Sequence, residues 1–272
     1  MKSTVCCIFN IGPHYRAPIY KRMDQELNCD FYFGDKVESP IKLMDYTILN
    51  GYKKTVRNKK VPGTGFIWQS GIWKLAFKPY KHYILSSSSG YLANWILAIL
   101  AIILGKKVYS WTHGIKGNNT PIRMFMEKNF YRLCHKVFLY GNQGKTSMVQ
   151  AGFPPEKLVL IYNSLDFEKQ LRIRQNLKPS KIFLDHFGND LPVVLYIGRI
   201  QKSKKVDLLI EALKVSNGQN KPYNLVIVGK DVENNDIPQL VEKYGLDTHV
   251  WFYGPCYDEE EIGPLLYNSD VC

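Results

Sequence analysis

The amino-acid sequence predicts an α/β protein built from two Rossmann-like domains. Three observations carry this. Short apolar runs alternate with helical patterns along the whole chain, and the alternation passes through two cycles separated by a polar stretch. The chain is also long enough: 272 residues, 45% hydrophobic and 22% charged, suffice for two ordinary domains with their own cores. Strands separated by helices imply parallel βαβ units with both faces of the sheet covered.

The first cycle opens with a strand at 5–9, the turn Asn10-Ile11-Gly12-Pro13 and a helix over 17–27. A second strand at 29–33 ends at Gly34-Asp35. The region 36–80 reads as irregular, first basic and then rich in Gly, Pro and Trp. Order resumes with a strand at 82–85, a Ser-rich turn at 86–89 and an apolar helix at 91–104. A strand at 107–111 runs into Thr112-His113-Gly114. A helix at 121–134, a strand at 136–140, a helix at 143–151 stopped by Gly152, and a strand at 158–162 complete the predicted first domain, residues 1–166. Residues 167–190 read as a linker. The second domain, 191–272, has strands at 192–197, 224–228 and 250–253, helices at 206–214 and 237–244, and a helical tail at 258–268.

The apolar stretch YLANWILAILAIIL has 14 residues, short of the roughly 20 that a spanning helix needs. It reads as a buried core helix or, alternatively, as an interfacial one. Six cysteines (Cys6, Cys7, Cys29, Cys134, Cys256, Cys272) form no C-x-x-C pair and read as reduced thiols. The amino terminus has too short an apolar run for a signal peptide, so a cytoplasmic location is expected. The charge is uneven. Residues 1–166 carry 23 Lys+Arg against 9 Asp+Glu, whereas 167–272 carry 13 against 15. Such asymmetry implies a surface facing phosphates, of anionic lipid or of a phosphorylated acceptor. Nucleic acid is not expected, because no familiar binding motif is present.

Ligands of open α/β sheets collect outside the carboxyl ends of the strands, and the loops there hold the candidate residues. In VVLYIGRIQKSKKVDLLIEAL a buried strand ends in Gly198-Arg199 and a helix begins near Lys205, with Lys202 and Lys204 between them. Cations oppose the dipole at a helix amino terminus, which makes sense if an anion such as a diphosphate occupies the site. Charge alone leaves a solvated basic loop equally open. At the end of another strand stands Trp111-Thr112-His113-Gly114. Its lone histidine is either structural or placed for ligand contact before a glycine that permits close backbone approach. The loop NIGPHYR at 10–16 lacks G-x-G-x-x-G, so no nicotinamide cofactor is expected. Gly12 permits close backbone approach, and Tyr15 and Arg16 follow it; the alternative is a structural turn with Arg16 solvated. The stretch GYKKTVRNKK has five cations (Lys53, Lys54, Arg57, Lys59, Lys60) and no acid. It is a solvated face or a contact with an anionic membrane, where each cation contributes roughly 1 kcal/mol. No D-x-D, H-E-x-x-H or Cys/His cluster occurs, so no metal is expected.

Gly-Arg after a strand, with a lysine six residues beyond the arginine, resembles the donor-phosphate motif of the family-4 retaining glycosyltransferases of the GT-B fold. The segments VDLLIEAL, YNLVIVGK, KYGLDTHVWFYGPC and IYNSLD (161–166) resemble the same family in order and spacing. The resemblance implies that Arg199 and Lys205 grip the diphosphate of a nucleotide sugar, with Lys204 sharing the role; Val206 stands where the family usually has glycine. It further implies that His113 lies beside the transferred sugar and orients donor hydroxyls, rather than acting as a nucleophile. In the loop at 10–16 it implies that backbone amides at Gly12 approach the diphosphate, while Tyr15 and Arg16 face the acceptor. The activity implied is metal-free, retaining transfer of a sugar to a glycan or lipid-linked acceptor, in cell-surface polysaccharide or glycolipid synthesis, with peripheral contact at the inner face of the membrane. The family's paired glutamates would lie beyond Cys272, so the second domain is expected to be incomplete. Two other readings are a GT-B-fold sugar-nucleotide epimerase and a non-catalytic remnant that binds glycan or lipid.

Overall fold

A computed structural model describes residues 3–37, 41–86, 89–115, 120–163 and 165–272. The chain divides into two compact units, Met1–Asp166 and Phe167–Cys272.

The first unit is a seven-stranded parallel sheet. Its strands are β1 (Val5–Phe9), β2 (Cys29–Gly34), β3 (Tyr52–Val56), β6 (His82–Ser86), β7 (Lys107–Thr112), β8 (Lys136–Leu139) and β9 (Leu158–Leu160), in the order β3-β2-β1-β6-β7-β8-β9. Strand β1 is central, and its run VCCIF is apolar at every position because both faces are covered. Alternate side chains enter different cores: Cys6 and Ile8 join Tyr83, Leu97 and Phe130, while Cys7 and Phe9 join Tyr20, Phe31 and Phe33. Helix α1 (Ala17–Leu27) has proline in its first turn and ends on Asn28, which takes the left-handed conformation at φ 48°. Helix α3 (Pro121–Leu133) starts at Thr120, whose hydroxyl accepts from the Arg123 amide. Helix α4 (Asn142–Gln150) links β8 to β9.

Helix α2 (Leu92–Ile103) fulfils the core expectation on one face only. Ala93, Leu97, Ala98 and Ala101 are buried, whereas Ile96, Ile99, Ile102 and Ile103 are exposed. Among the described residues no helix is long and apolar enough to cross a membrane.

The region 36–80 is more regular than its composition implies. It contains β3, an antiparallel pair of β4 (Asn58–Lys60) and β5 (Ile67–Gln69), and a 3₁₀ helix over Ile72–Phe77. The run YKKTV hides β3 because the strand is at the sheet edge, where only Val56 is buried and lysines guard the open edge.

The second unit has a parallel sheet of β10 (Val193–Ile197), β11 (Asn224–Val228) and β12 (Val250–Gly254) in that order, and Val271 forms a parallel bridge to Val194. Helices α7 (Val206–Gly218) and α8 (Ile237–Lys243) supply Ile210, Leu213 and Val241 to one core. The expectation of a linker at 167–190 is corrected. Helices α5 (Phe167–Asn176) and α6 (Ile182–Phe187) occupy most of it, and α6 buries Phe183 with Leu195, Val226 and Leu265. Helix α5 packs on α9 (Glu259–Asn268) at Gly263, where a β-carbon would come within 2.9 Å of Ile173 Cγ2. A mostly polar helix of this kind has too few buried positions to declare itself in sequence.

Candidate functional site

In the first unit the carboxyl ends of β1, β6 and β7 open into a cavity of about 250 Å³. Asn10 and Pro13 follow β1, Ser86 ends β6, and Trp111, Thr112 and His113 come from β7. The wall is completed by Tyr15 and Arg16, by Arg123, Glu127 and Tyr131 of α3, and by Tyr140 after β8. The structure thus brings together His113, Tyr15 and Arg16, three of the residues singled out by sequence.

Residue 113 is held by its backbone and presented by its side chain. The Thr112 hydroxyl accepts from the Gly114 amide at 3.0 Å, and Gly114 takes φ 86° to make the turn. Gly144, in the first turn of α4, lies so near that a β-carbon there would stand 2.6 Å from the His113 carbonyl oxygen. The His113 side chain is exposed, with its ring 4.3 Å from that of Tyr140 between centroids.

Arg16 is not a solvated side chain. Its guanidinium stands 4.8 Å from the Tyr140 ring centroid and 5.2 Å from that of Trp111, and it donates to Asn163 Oδ1 at 3.1 Å. Burial raises the pKa of the Tyr140 hydroxyl, and the Arg16 charge opposes that rise. Across the cavity Glu127 is 7% exposed and paired with Arg123, Nε to Oε1 at 3.6 Å. Among the described residues, the indole N–H of Trp111, buried in the wall, has no hydrogen-bond partner. An arrangement of donors, one carboxylate and aromatic faces suits a polyhydroxylated ring. Arg123, Glu127, Tyr131 and Tyr140 were not apparent from motifs. One signal was available: Glu127 is the single acid between Asp45 and Glu156.

Gly12 is corrected. It is buried outside the cavity lining, its amide donates to the Tyr46 hydroxyl at 3.1 Å, and a β-carbon would fall 2.6 Å from the Tyr46 ring. The glycine permits close approach of an aromatic ring. The basic stretch also stands apart from the cavity. Lys53 and Lys54 are on edge strand β3, where Lys53 pairs with Asp30 at 3.3 Å, Arg57 follows the strand, and Lys59 and Lys60 are on β4.

In the second unit β10 delivers Gly198 and Arg199. The Arg199 carbonyl accepts from the Tyr196 hydroxyl at 2.9 Å. A 3₁₀ turn over Lys202–Lys204 leads to Lys205, which has φ 56° and caps α7 with no side-chain hydrogen bond to the first-turn amides. Those amides are the orphan donors of a helix amino terminus. Val206 replaces the glycine of the resembling motif without strain, because the positive φ falls on Lys205 and the valine packs with Ile200 and Ile210. A cavity of about 500 Å³ here is lined by Lys202 and Lys205 but also by Asp207, Glu233 and Asp236, and Glu233 accepts from the Lys202 amide at 2.8 Å. Arg199 and Lys204 are not in its lining. Among the described residues, no three His, Cys, Asp or Glu side chains are grouped to hold a metal ion.

Two parallel α/β units with ligand-facing loops at their strand ends define the class: the fold is that of the GT-B proteins, and glycosyltransferases are among its structural neighbours. Residues 181–272 match the family model described as glycosyl transferases group 1. Anabaena Alr3699/HepE, solved in complex with UDP, is similar at a TM-score of 0.69 and 17% identity, covering 99% of this chain and 72% of that one. The lipopolysaccharide outer core galactosyltransferase WaaB is similar at a TM-score of 0.64 and 13% identity, over 97% and 72% of the two chains. A UDP-GlcNAc 2-epimerase from Methanocaldococcus jannaschii is similar at a TM-score of 0.59 and 12% identity, over 98% and 77%. In sequence, a 41.2 kDa protein in the cps region of Klebsiella pneumoniae is 24% identical over 123 residues, which are 45% of this chain and 31% of that protein. The aligned segment therefore spans less than a third of that relative. The group 1 model thus covers most of the second unit, and the similar structures share the fold.

Proposed function

We propose that the chain belongs to a retaining glycosyltransferase that moves a sugar, of hexose type, from a nucleotide-diphosphate donor to a glycan or lipid-linked acceptor at the cytoplasmic side of a membrane, without a metal. The observation that carries this reading is the β10–α7 junction. An uncapped helix amino terminus follows Gly198-Arg199, bears Lys205 at its cap and lies inside the segment that matches the group 1 family model. Arg199, Lys205 and the neighbouring Lys204 are the groups to hold the donor diphosphate, as the UDP complex of the similar HepE fold encourages. In the transfer itself, the acceptor oxygen bonds to the anomeric carbon and the bond from that carbon to the diphosphate breaks with its electron pair on the diphosphate. The acceptor proton passes to the departing phosphate oxygen. Positive groups and helix amides offset the charge that develops there. His113 orients donor hydroxyls, and Tyr15 and Arg16 belong to the acceptor side.

Calorimetric titration with UDP and GDP tests the reading. Arg199→Ala and Lys205→Ala are each expected to weaken binding by about 1.5–3 kcal/mol, the worth of a charge-assisted contact. Unchanged affinity in both variants removes the phosphate site. The epimerase reading has fold-level similarity behind it, and acceptor dependence separates the two: an epimerase turns over UDP-GlcNAc with no acceptor present, whereas a transferase releases nucleotide only with one.

A further inference from the structure

Helix α2 turns Ile96, Ile99 and Ile103 outward at the i, i+3, i+7 spacing of a single helical face, and Ile103 is 73% exposed. Helix α3 is joined to α2 through the Trp95–Phe130 ring contact, with centroids 5.1 Å apart. It exposes Ile122 and Phe125 by 76% and 69%. At the other end of α2, Phe77 is 63% exposed on the 3₁₀ segment that Lys106 fastens there by donating to the carbonyls of Ala76 and Lys78. Monomeric soluble proteins seldom leave this many large apolar side chains outward on adjoining elements without a partner.

The charge around this face selects the partner. From Lys74 to Arg132 the sequence has nine cations and one acid, and that acid, Glu127, is buried beside Arg123. Lys74 and Lys78 flank Phe77, Lys107 follows α2, and Lys128 and Arg132 lie one and two turns beyond Phe125 on α3. A second copy of the chain would bring the same positive rim against itself, and the like charges would oppose pairing. A surface with acyl chains beneath anionic head groups accommodates both the isoleucines and the cations. With 12 residues α2 is too short to span a bilayer, so it would lie in the plane of the interface.

We propose that the outer faces of α2 and α3 dock this protein on an anionic lipid surface, with the isoleucines and Phe125 entering the acyl boundary and the lysines and arginines at the level of the phosphates. This places membrane contact on the helices rather than on the sheet-edge lysines at 53–60. It does not depend on the glycosyltransferase reading, because lipid binding is measured without donor or acceptor.

Co-sedimentation of the 272-residue chain with vesicles of phosphatidylglycerol mixed into phosphatidylcholine, against phosphatidylcholine alone, is the test. The chain is expected to bind the anionic vesicles, and less so as salt is raised. The double variant Ile99→Glu/Ile103→Glu is expected to lose at least about tenfold in partitioning, since it removes buried apolar area and adds repulsion. Lys128→Gln/Arg132→Gln, which touches no core position, is expected to lose about fivefold per charge. Circular dichroism melting checks that each variant is folded, and the charge variant keeps the test decisive if the glutamates disturb α2. Absence of binding to anionic vesicles overturns the proposal, as does undiminished binding by the folded variants. It is also overturned if analytical ultracentrifugation finds a dimer that Ile99→Glu/Ile103→Glu converts to monomer, because the face then belongs to a second copy.

Discussion

Gly229→Ala is the substitution from which the most is expected for the fewest atoms added. Gly229 follows β11, and a β-carbon on it would fall well inside van der Waals contact of the Gly198 carbonyl oxygen and 2.8 Å from the Gly198 carbonyl carbon. The obstacle is backbone, so no side chain can swing away. The ends of β10 and β11 must separate by on the order of 1 Å. Two hydrogen bonds bracket the contact, Gly198 N–H to Val228 O at 2.9 Å and Ile200 N–H to Lys230 O at 3.0 Å, and both are stretched by such a movement. Each is worth about 0.5–1.5 kcal/mol, and the overpacking adds about 1–3 kcal/mol. A destabilisation of about 2–6 kcal/mol follows, a large share of the roughly 5–15 kcal/mol that holds a typical domain together. Trp251 on β12 is the single tryptophan after Asp166, so selective tryptophan fluorescence in a urea titration reports on this unit if the other four tryptophans are replaced by phenylalanine. The midpoint is expected to fall with little change in slope, and UDP affinity to fall too, because Gly198-Arg199 moves. A loss below about 0.5 kcal/mol, with UDP binding intact, would refute the argument that this junction is set by backbone approach.

Other expectations concern the first unit. His113→Ala is expected to lower turnover roughly a hundredfold while leaving the melting temperature within a degree or so, because the side chain is exposed; a collapse of stability with normal turnover per folded molecule would mean a structural histidine. Arg16→Lys keeps the charge but loses the guanidinium contacts with the Tyr140 and Trp111 rings, and is expected to cost about 1–2 kcal/mol in thermal unfolding. An equal melting temperature in the lysine variant would show that these contacts contribute nothing. Added sodium chloride is expected to raise the melting temperature of residues 1–166, by screening repulsion; a fall with salt would show that ion pairs dominate there.

What was legible in the sequence depended on burial. The runs VCCIF, VVLYI and LVIV (225–228) announce themselves because a parallel strand covered on both faces is a near-continuous apolar run. The run YKKTV does not, since an edge strand with one buried side chain has no apolar pattern to show. Helix α5 escaped for the same reason. At the candidate site, His113 and Arg16 were legible from their places at strand ends, a local property. Tyr140 also follows a strand, β8, but has no motif around it, and Glu127 was not legible because it reaches the cavity from α3, whose approach is decided by tertiary packing. Glycines were half legible. Gly12, Gly144 and Gly229 each mark a close approach, yet the approaching group is an aromatic ring or a carbonyl that no sequence pattern names.

The positive charge of the first unit has an internal use that bears on the proposed docking. Several lysines act as fasteners. Lys157 donates to the Arg132 carbonyl near the end of α3, Lys136 to the Glu156 carbonyl, and Lys106 to the carbonyls of Ala76 and Lys78. Burial lowers the pKa of Lys106 and of Lys157, as expected for ammonium groups withdrawn from water. A carbonyl satisfies an ammonium group without cancelling its charge, so each fastener leaves the field of the unit as positive as before. With nine acids against 23 cations, ion pairing cannot restore neutrality. The repulsion that remains is destabilising in isolation and is relieved by whatever anion approaches. On the docking proposed above, lysines that secure the ends of elements also add to the attraction for a phosphate-bearing surface. Under that docking the local architecture of α2 and α3 is tied to an anionic lipid partner.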